Sequence, residues 1–284
     1  MKFIRFVQNS AAKLGCIGED NSIYDLSSII ADHSVENLHH QLSELQSLDL
    51  KALPRIELGD IDAIAASVAN IGKVICIGAN SKTHNKEIGV SLKEPMFFLK
   101  PPSSVSGALD PVPYTEMTKQ LDWEAELAVV IAKSGKNIAE ANAMEYVMGY
   151  SCFNDFSDRY WQFKDGGLEI GGQTTIAKCF DGYAPLGPWL VTQDEIKDPS
   201  NLSIELKVNG EVRQSFNSAD YLRNVAQCVS QLSRFMTLNP GDIIALASGP
   251  GNAKFWNEQY LCPEDEVTLS IEGLGEQKQK VVGV

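Results

Sequence analysis

The chain has 284 residues, of which 44% are hydrophobic and 21% are charged, and its formal net charge is −13 at neutral pH. This composition is that of a globular protein with a sizeable core, and the negative charge argues against nucleic acid or an anionic membrane as the main partner. No run of about 18 apolar residues predicts a membrane span, no signal peptide is predicted at the start, and six scattered cysteines favour reduced thiols, so we expect a cytoplasmic protein.

The first 65 residues predict a small α+β unit. Residues 3–7 and 22–26 have the pattern of short strands, and residues 35–48 have that of a polar, amphipathic helix. The stretch around Leu53-Pro54-Arg55 has the composition of a linker. We therefore predict a small N-terminal domain over residues 1–65 and a larger domain over residues 66–284.

The sequence of the larger domain predicts many strands and few helices. Residues 202–208 alternate between apolar and polar and run into Asn209-Gly210, which is a strong hairpin signal. Helices are expected at residues 138–148, ending before Gly149, and at residues 219–235, with Ser218 as N-cap. Strands and helices do not alternate regularly, so we expect an α+β fold dominated by sheet rather than a doubly wound fold.

The segment over residues 121–131 contains the first candidate site. Its continuous apolar run over residues 127–131 predicts a strand that is buried on both faces. Side chains alternate along a strand, so Glu124 and Glu126 point to the same side. Two neighbouring carboxylates repel each other, and a hard divalent cation is a common way to neutralise them. An exposed strand end with solvated charges is the alternative.

A histidine and a glutamate follow the strand predicted at residues 74–77. His84 and Glu87 are three residues apart, so on one helical turn they share a face and can touch. A carboxylate that holds one imidazole nitrogen makes the other nitrogen a better base. A chance pair on a surface loop is the alternative.

Further polar residues lie after residue 150. Asp155 would be a third carboxylate if its strand lies near the paired glutamates. Arg159 and Gln162 follow on one side of a turn and could hold a carboxylate. Lys178 follows a glycine-rich loop, where a lone lysine is usually just solvated. The spacing alone does not bring these side chains together.

Taken together, these segments resemble the fumarylacetoacetate hydrolase family. The resemblance covers roughly residues 70–275 and implies a mixed β-sheet roll with few helices, behind a small leading α+β domain, and a homodimer. The family's motifs occur here in the same order, as Ile77-Gly78-Ala79-Asn80, His84-Asn85-Lys86-Glu87, Phe98-Leu99-Lys100-Pro101-Pro102-Ser103-Ser104, Leu121-Asp122-Trp123-Glu124-Ala125-Glu126-Leu127, Asn154-Asp155-Phe156-Ser157, Arg159, Pro185-Leu186-Gly187-Pro188-Trp189 and Met236-Thr237-Leu238-Asn239-Pro240-Gly241-Asp242.

The resemblance also implies a role for each candidate residue. The metal would be Mg2+ or Mn2+, bound by carboxylates only. His84 and Glu87, a catalytic dyad, would activate water or move a proton, and Lys178 would stabilise developing negative charge. The implied metal ligands are Glu124, Glu126 and Asp155, the catalytic groups are His84, Glu87 and Lys178, and the substrate contacts are Arg159, Gln162, Lys100 and Ser248.

The implied activity follows from the family's substrates, which are 2-oxo acids and 1,3-dicarbonyls whose neighbouring oxygens can chelate one cation. It is the metal-dependent hydrolysis of a C–C bond in an acylpyruvate-like or diketo acid, including a diketo-deoxy sugar acid, through a metal-bound enolate. The alternative is a decarboxylase or isomerase of an oxaloacetate-like 2-oxo acid, because the same enolate serves these reactions. A metal-binding relative without catalysis is a third interpretation.

Two departures from the family pattern bear on the substrate more than on the metal. Members commonly carry a Gly-Thr-Pro turn where this chain has Ala247-Ser248-Gly249-Pro250-Gly251, in which Ser248 keeps a hydroxyl. The stretch that includes residues 166–172 is longer than typical by about five residues before Lys178. Aromatic bulk at Phe255 or Trp256 and the longer loop are expected to reshape the pocket.

Overall fold

The computed structural model describes residues 1–30, 33–94, 96–163 and 171–284. In these ranges, no helix is long and apolar enough to cross a membrane. The helices are α1 (Val35–Gln46), α2 (Lys82–Glu87), α3 (Arg159–Gln162), α4 (Thr174–Lys178) and α5 (Val225–Phe235). The strands are β1 (Lys2–Gln8), β2 (Ala11–Ile17), β3 (Ile23–Asp25), β4 (Arg55–Ile56), β5 (Ala63–Ile64), β6 (Val74–Gly78), β7 (Met96–Lys100), β8 (Val105–Ser106), β9 (Val112–Tyr114), β10 (Leu121–Asp122), β11 (Ala125–Ile131), β12 (Val147–Asn154), β13 (Ser157–Asp158), β14 (Ala184–Pro185), β15 (Trp189–Thr192), β16 (Ser203–Val208), β17 (Glu211–Asn217), β18 (Ile243–Ala245), β19 (Glu266–Ile271) and β20 (Gly275–Gly283).

Two sheets dominate the molecule. The larger has eleven strands in the order β4-β3-β2-β1-β15-β12-β11-β18-β6-β7, with β5 also paired to β1. It is mixed, because β18 runs parallel to β6 and antiparallel to β11. The second sheet has five strands in the order β17-β16-β19-β20-β9. The prediction of a mainly β fold with few helices is confirmed.

The central position of β11 in the large sheet explains why its sequence is apolar. Leu127, Val129 and Ile131 face the core shared with the five-stranded sheet and α5. Ala128 and Val130 face a second core, to which α1 contributes. A strand buried on both faces needs apolar residues at every position. The buried strand predicted over residues 127–131 is therefore confirmed.

The N-terminal segment contributes strands to the large sheet. The predicted strands at residues 3–7 and 22–26 and the predicted helix at 35–48 are confirmed as β1, β3 and α1. β1 pairs antiparallel with β15, which lies far along the chain. The boundary at residue 65 stays a prediction, and the pairing of β1 with β15 carries hydrogen bonds from one side of it to the other.

Two predicted helices need correction. Residues 138–148 form 3-10 turns at Glu140–Tyr146 and then enter β12. Gly149 lies inside that strand, where a Cβ atom would stand 2.0 Å from the carbonyl oxygen of Val191, so this glycine permits close strand approach and does not end a helix. The second helix begins only at Val225 and is capped by Asn224, not Ser218, because Asn224 and Gln227 form a reciprocal capping box.

Candidate metal centre and active site

Three carboxylates converge where β11 and β12 lie side by side. Glu124 directly precedes β11, Glu126 lies within it, and Asp155 directly follows β12. Each offers an oxygen within 4.8 Å of the other two, and all three residues are buried. On the opposite side of the segment, Trp123 and Leu127 pack into the core. The alternation predicted for this segment is confirmed.

Two buried cations reach the cluster from short helices. The Lys178 ammonium, at the end of α4, donates to Glu124 Oε2 and to Asp155 Oδ2, the latter at 2.6 Å. Arg159, at the start of α3, donates from Nη2 to Glu124 Oε1 at 2.8 Å and from Nη1 to Gln162 Oε1 at 2.6 Å. Glu124 is therefore held by two cations, and Lys178 bridges two of the three carboxylates.

Lys100 lies beneath the cluster, away from the cavity. Its ammonium donates to Asp155 Oδ1 at 2.5 Å, to the Phe156 carbonyl at 3.0 Å and to the Tyr183 carbonyl at 2.9 Å. These three acceptors use all three of its protons, and its side chain has no exposed surface. Lys100 thus fixes the orientation of Asp155, and the substrate contact implied for it stays a prediction.

The electrostatics of the cluster favour a further cation beside Glu126. Burial, and then the charges of Asp155 and Glu124, raise the pKa of Glu126 well above its ordinary value. Burial also opposes the charge on Glu124, but Arg159 and Lys178 outweigh it and hold the pKa of that carboxyl well below its usual range. Among the described residues, no Lys or Arg forms an ion pair with Glu126. Three buried carboxylates with one of them unpaired form a donor set that fits a hard divalent ion.

The histidine and the glutamate of α2 form the predicted pair. His84 Nδ1 lies 2.7 Å from Glu87 Oε2. Since an ionised carboxylate can only accept, Nδ1 is assigned as the donor, and the neutral imidazole with this tautomer has its lone pair on Nε2. Glu87 Oε1 also accepts from the Gly251 backbone N–H at 3.2 Å, and the His84 ring meets the Phe255 ring edge-on, with centroids 5.7 Å apart.

The start of α2 is fixed by a residue from a distant part of the chain. Asp220 accepts from the Ser81 hydroxyl at 2.5 Å, from the Thr83 hydroxyl at 2.6 Å and from the Thr83 backbone N–H at 3.0 Å. The Ser81 hydroxyl in turn caps the helix by accepting from the His84 N–H at 3.1 Å. Asp220 and Gly251 thus hold the two ends of the segment that carries His84 and Glu87.

One cavity of about 540 Å³ brings most of these groups together. Ser248 contributes to its wall, and the Ser248 hydroxyl accepts from Gln214 Nε2 at 2.8 Å. Glu87 and Lys100 are not among the described residues that line the cavity. The predicted site residues that line it are His84, Glu124, Glu126, Asp155, Arg159, Gln162, Lys178 and Ser248.

Two buried residues of the site escaped the sequence analysis. Asp122 accepts from Arg159 Nε at 2.7 Å and from the Ala253 N–H at 2.6 Å, so it orients the arginine. It stands two residues before Glu124, and the same alternation that pairs the glutamates could have included it. Asn252 Nδ2 donates to Glu124 Oε1 at 2.9 Å, and no local pattern indicates this contact across 128 residues.

The structure describes the aromatic residues of the first departure from the family pattern, but only the end of the longer loop. Phe255 lines the cavity, as expected from its bulk. Trp256 instead lies under the Arg213 guanidinium, 5.5 Å from ring centroid to Cζ. The longer stretch predicted at residues 166–172 lies outside the described residues as far as residue 170.

Solved structures similar to this chain define its class. The fumarylacetoacetate hydrolase from the psychrophile Exiguobacterium antarcticum has a TM-score of 0.88 at 33% identity over 100% of both chains. The maleylpyruvate hydrolase from Sphingobium sp. SYK-6, solved with manganese(II) and pyruvate, has a TM-score of 0.82 at 28% identity over 100% of this chain and 99% of that one. A 5-carboxymethyl-2-hydroxymuconate delta-isomerase from Mycobacterium smegmatis has a TM-score of 0.79 at 29% identity, with 100% of both chains covered. The class includes hydrolases and isomerases.

Sequence comparison gives the family. Residues 73–282 match the family described as "Fumarylacetoacetate (FAA) hydrolase C-terminal". A protein of Burkholderia multivorans is 40% identical over 283 residues, which are 98% of each chain, and one of Burkholderia lata is 38% identical over the same length and share. Their names place both among the hydrolases and state no substrate. The chain belongs to the fumarylacetoacetate hydrolase family.

Proposed function

We propose that this protein is a divalent-metal-dependent hydrolase that cleaves a C–C bond in an acylpyruvate-like diketo acid. The observation that carries the proposal is one cavity lined by three buried carboxylates and by His84, whose Nδ1 is held by Glu87. The similar maleylpyruvate hydrolase bound to manganese and pyruvate supports it.

The carboxylates of Glu124, Glu126 and Asp155 would hold Mg2+ or Mn2+, because hard ions prefer oxygen ligands. A bound cation would also stabilise the ionised form of Glu126, whose pKa is raised by burial and by the two neighbouring carboxylates. When bound, such an ion acts as a Lewis acid on the oxygens of a 2-oxo acid. In the structure, the Lys178 ammonium already bridges Glu124 and Asp155, so this site attracts positive charge before any ion is considered.

Arg159 and Gln162 would orient the carboxylate of the substrate. They lie side by side in the cavity wall, and their mutual hydrogen bond fixes both side chains. Asp122 holds the other edge of the guanidinium, so Arg159 cannot turn freely. A planar guanidinium in a fixed orientation suits a planar carboxylate. Ser248 lines another part of the wall, where its hydroxyl accepts from Gln214 and donates to the Gly249 carbonyl, and it would be a further substrate contact.

His84 would act as the general base. Its Nε2 takes a proton from water, and the hydroxide oxygen forms a bond to the acyl carbonyl carbon remote from the substrate carboxylate. The C–C bond then breaks, its electron pair moves into the pyruvate fragment, and a proton delivered to the methylene carbon completes pyruvate beside the carboxylic acid. Lys178 supplies positive charge for the developing anion. Positioned proton transfer of this kind contributes about 10²–10⁴-fold to the rate.

An isomerase or decarboxylase of a related 2-oxo acid is the second candidate function. The similarity to an isomerase from Mycobacterium smegmatis favours it. The same carboxylates, arginine and lysine would bind its substrate, and the difference is whether water reaches the acyl carbon beside His84. The homodimer implied by the family resemblance stays a prediction.

The deciding experiment is hydrolysis of acetylpyruvate, followed by the loss of its enol absorbance. Protein treated with EDTA is compared with the same protein after addition of Mg2+ or Mn2+, and oxaloacetate is tested in parallel. We expect cleavage of acetylpyruvate that depends on added metal. Consumption of oxaloacetate with acetylpyruvate left intact would favour a decarboxylase, and metal binding without turnover of either compound would contradict the hydrolase.

A further inference from the structure

The cavity that holds the carboxylates has two unlike ends. One end carries the charged groups around Glu124, Asp155 and Arg159. The other is built from β7 and from the segment that follows α2, and its side chains are apolar. These apolar lining residues are Ile88, Val90, Leu92, Met96 and Phe98.

Strand β7 orders these side chains along the cavity. Met96, Phe98 and Lys100 alternate onto one face of the strand. Lys100 reaches Asp155, and the Phe98 ring lies 4.9 Å from the Lys178 ammonium. Met96 is two residues further from the carboxylates, opposite Gly78 in the register with β6. At about 3.3 Å per residue, the four residues from Lys100 to Met96 span roughly 13 Å.

The opposite wall of this end comes from α2 and the residues after it. Ile88 follows His84 by one helical turn, so both side chains face the same cavity. Val90 and Leu92 continue this wall. On the β6 side, the Met96 terminal methyl packs over Gly78, where a Cβ atom would stand only 2.2 Å from it. The far end is therefore an apolar slot that begins at the proposed catalytic groups.

The cations of the cavity are all engaged elsewhere. Arg159 and Lys178 are paired with the carboxylates of the polar end. Lys254 pairs with Glu258 at 2.7 Å and lies over the Phe163 ring. Among the described residues that line this cavity, none between Phe98 and Leu92 is charged. Lys82 and Lys86 line a separate cavity on the other side of Val90 and Leu92. A charged tail lying along Phe98 would lose part of its water and gain no cation of this cavity, which costs free energy.

We propose that this site selects 2-oxo acids with an apolar tail, an alkyl or aryl acylpyruvate, over those whose tail ends in a second carboxylate or carries hydroxyls. The inference rests on the proposed function for the reaction and adds the class of substrate. The 2-oxo carboxylate lies at the charged end, the scissile bond lies beside His84, and the acyl chain extends along Phe98 toward Met96.

The first test compares matched substrates. Succinylpyruvate is butanoylpyruvate with its terminal methyl replaced by a carboxylate, and acetyl-, butanoyl- and hexanoylpyruvate form a series of growing chain length. We expect kcat/KM to rise about fourfold per added methylene, which corresponds to about 0.8 kcal/mol. We expect kcat/KM for succinylpyruvate to lie roughly 10-fold or more below that for butanoylpyruvate, because the tail carboxylate loses only part of its water. Equal rates, or a preference for succinylpyruvate, would overturn the inference.

A binding measurement separates this inference from the proposed function. Calorimetry with the Mn2+-loaded protein compares 2-oxobutanoate, 2-oxohexanoate and 2-oxoadipate, none of which has an acyl carbonyl to hydrolyse. Affinity that rises with tail length and falls for 2-oxoadipate supports the apolar slot even if no acylpyruvate is cleaved, in which case only the hydrolase fails. Cleavage of acetylpyruvate without any effect of the tail leaves the hydrolase standing and overturns the slot. No binding of any 2-oxo acid overturns the slot as well.

A variant of β7 tests the far end directly. Met96→Arg places a cation in the slot, and Leu99→Arg adds the same charge on the opposite face of the same strand. The two side chains are similarly exposed, at 49% and 47%, so the added charge is solvated to a similar extent in both variants. We expect Met96→Arg to shift the ratio of succinylpyruvate to butanoylpyruvate turnover by roughly 10–100-fold toward succinylpyruvate, and Leu99→Arg to leave it unchanged. An equal shift in both variants would contradict the placement of the tail.

Discussion

The two halves of the candidate site are built differently. Glu126 lies in β11 and Asp155 directly follows β12, and these two strands are long, fully buried and at the centre of an eleven-stranded sheet. His84 and Glu87 belong to α2, a helix of six residues outside the sheets. Such a short helix is not stable by itself, so its position depends on Asp220 at one end and Gly251 at the other.

This difference assigns different tasks to the two halves. The carboxylates are fixed by the core before any ligand arrives, and such preorganisation favours metal binding. The dyad depends on a few hydrogen bonds at the surface, so its position can be loosened without unfolding the sheet. Changes to the carboxylates should alter metal binding, and changes to α2 should alter turnover while metal binding stays the same.

The largest effect is expected from Glu126→Gln. The amide keeps the size of the side chain and an acceptor for the Ala247 N–H, but it removes an anionic ligand. We expect metal affinity to fall by more than the roughly 10–100-fold known for outer partners of metal ligands, and metal-dependent turnover to be lost. Isothermal titration with Mn2+ measures the first and the acetylpyruvate assay measures the second.

Glu145→Gln is the control for this change, since Glu145 is exposed and lies outside the cavity. Its metal affinity should equal that of the unchanged protein. Glu126→Gln should also remove the cost of burying a charge whose pKa is raised by burial and by Asp155 and Glu124, so without metal this variant should melt at a higher temperature. An unchanged affinity for Mn2+ would refute the assignment of Glu126 as a ligand.

His84→Ala tests the other half. Removing the imidazole leaves the carboxylates in place, so the metal should bind as before, while turnover should fall by about 10²–10⁴-fold, the usual contribution of a positioned base. His40→Ala changes an exposed histidine on α1 and serves as the control. Hydrolysis at the original rate would rule out the dyad as the base, and a matching loss of metal affinity would contradict the division between the two halves.

The sequence predicted the carboxylate half better than the dyad's surroundings. Period-2 alternation with an apolar strand correctly placed Glu124 and Glu126 on one side, because a strand in the centre of a sheet imposes both signals at once. The contact of His84 with Glu87 followed from helical spacing. In contrast, the long-range contacts of Asp220 and Asn252 have no local sequence pattern, so the fold alone brings them to the site.

The errors in the fold have a related cause. Residues 138–148 are rich in alanine and methionine, which favour helix, yet the pairing of β12 with β11 and β15 draws the chain into a strand. Lys100 carries a charge that normally stays in water, and only its three acceptors in the core permit its burial. In both cases, partners far along the chain overrule the local preference.

The smallest effect is expected from Asp220→Asn, which loosens α2 without touching the cavity. The amide offers fewer acceptor positions to the Ser81 and Thr83 hydroxyls, so we expect kcat to fall roughly 3–10-fold and KM to change with it, as for other hinge contacts. Metal affinity should stay the same. Asp49→Asn alters a similar cap at a 3-10 turn elsewhere and should have no effect on turnover.

The pH dependence of the hydrogen bonds that Asp220 accepts from Ser81 and Thr83 gives a second test of its role. Burial opposes the charge on Asp220, but the hydrogen bonds from Ser81 and Thr83 outweigh it and hold its pKa below the ordinary value of 3.8. Because the folded-state pKa is lowered, the stabilisation is complete above the unfolded value and is lost only as the pH falls through the folded one. The ratio of kcat between Asp220→Asn and the unchanged protein should therefore be constant across the neutral pH range. If the ratio of the two kcat values changes with pH within the neutral range, or if metal affinity is lost, then α2 is positioned by something other than Asp220.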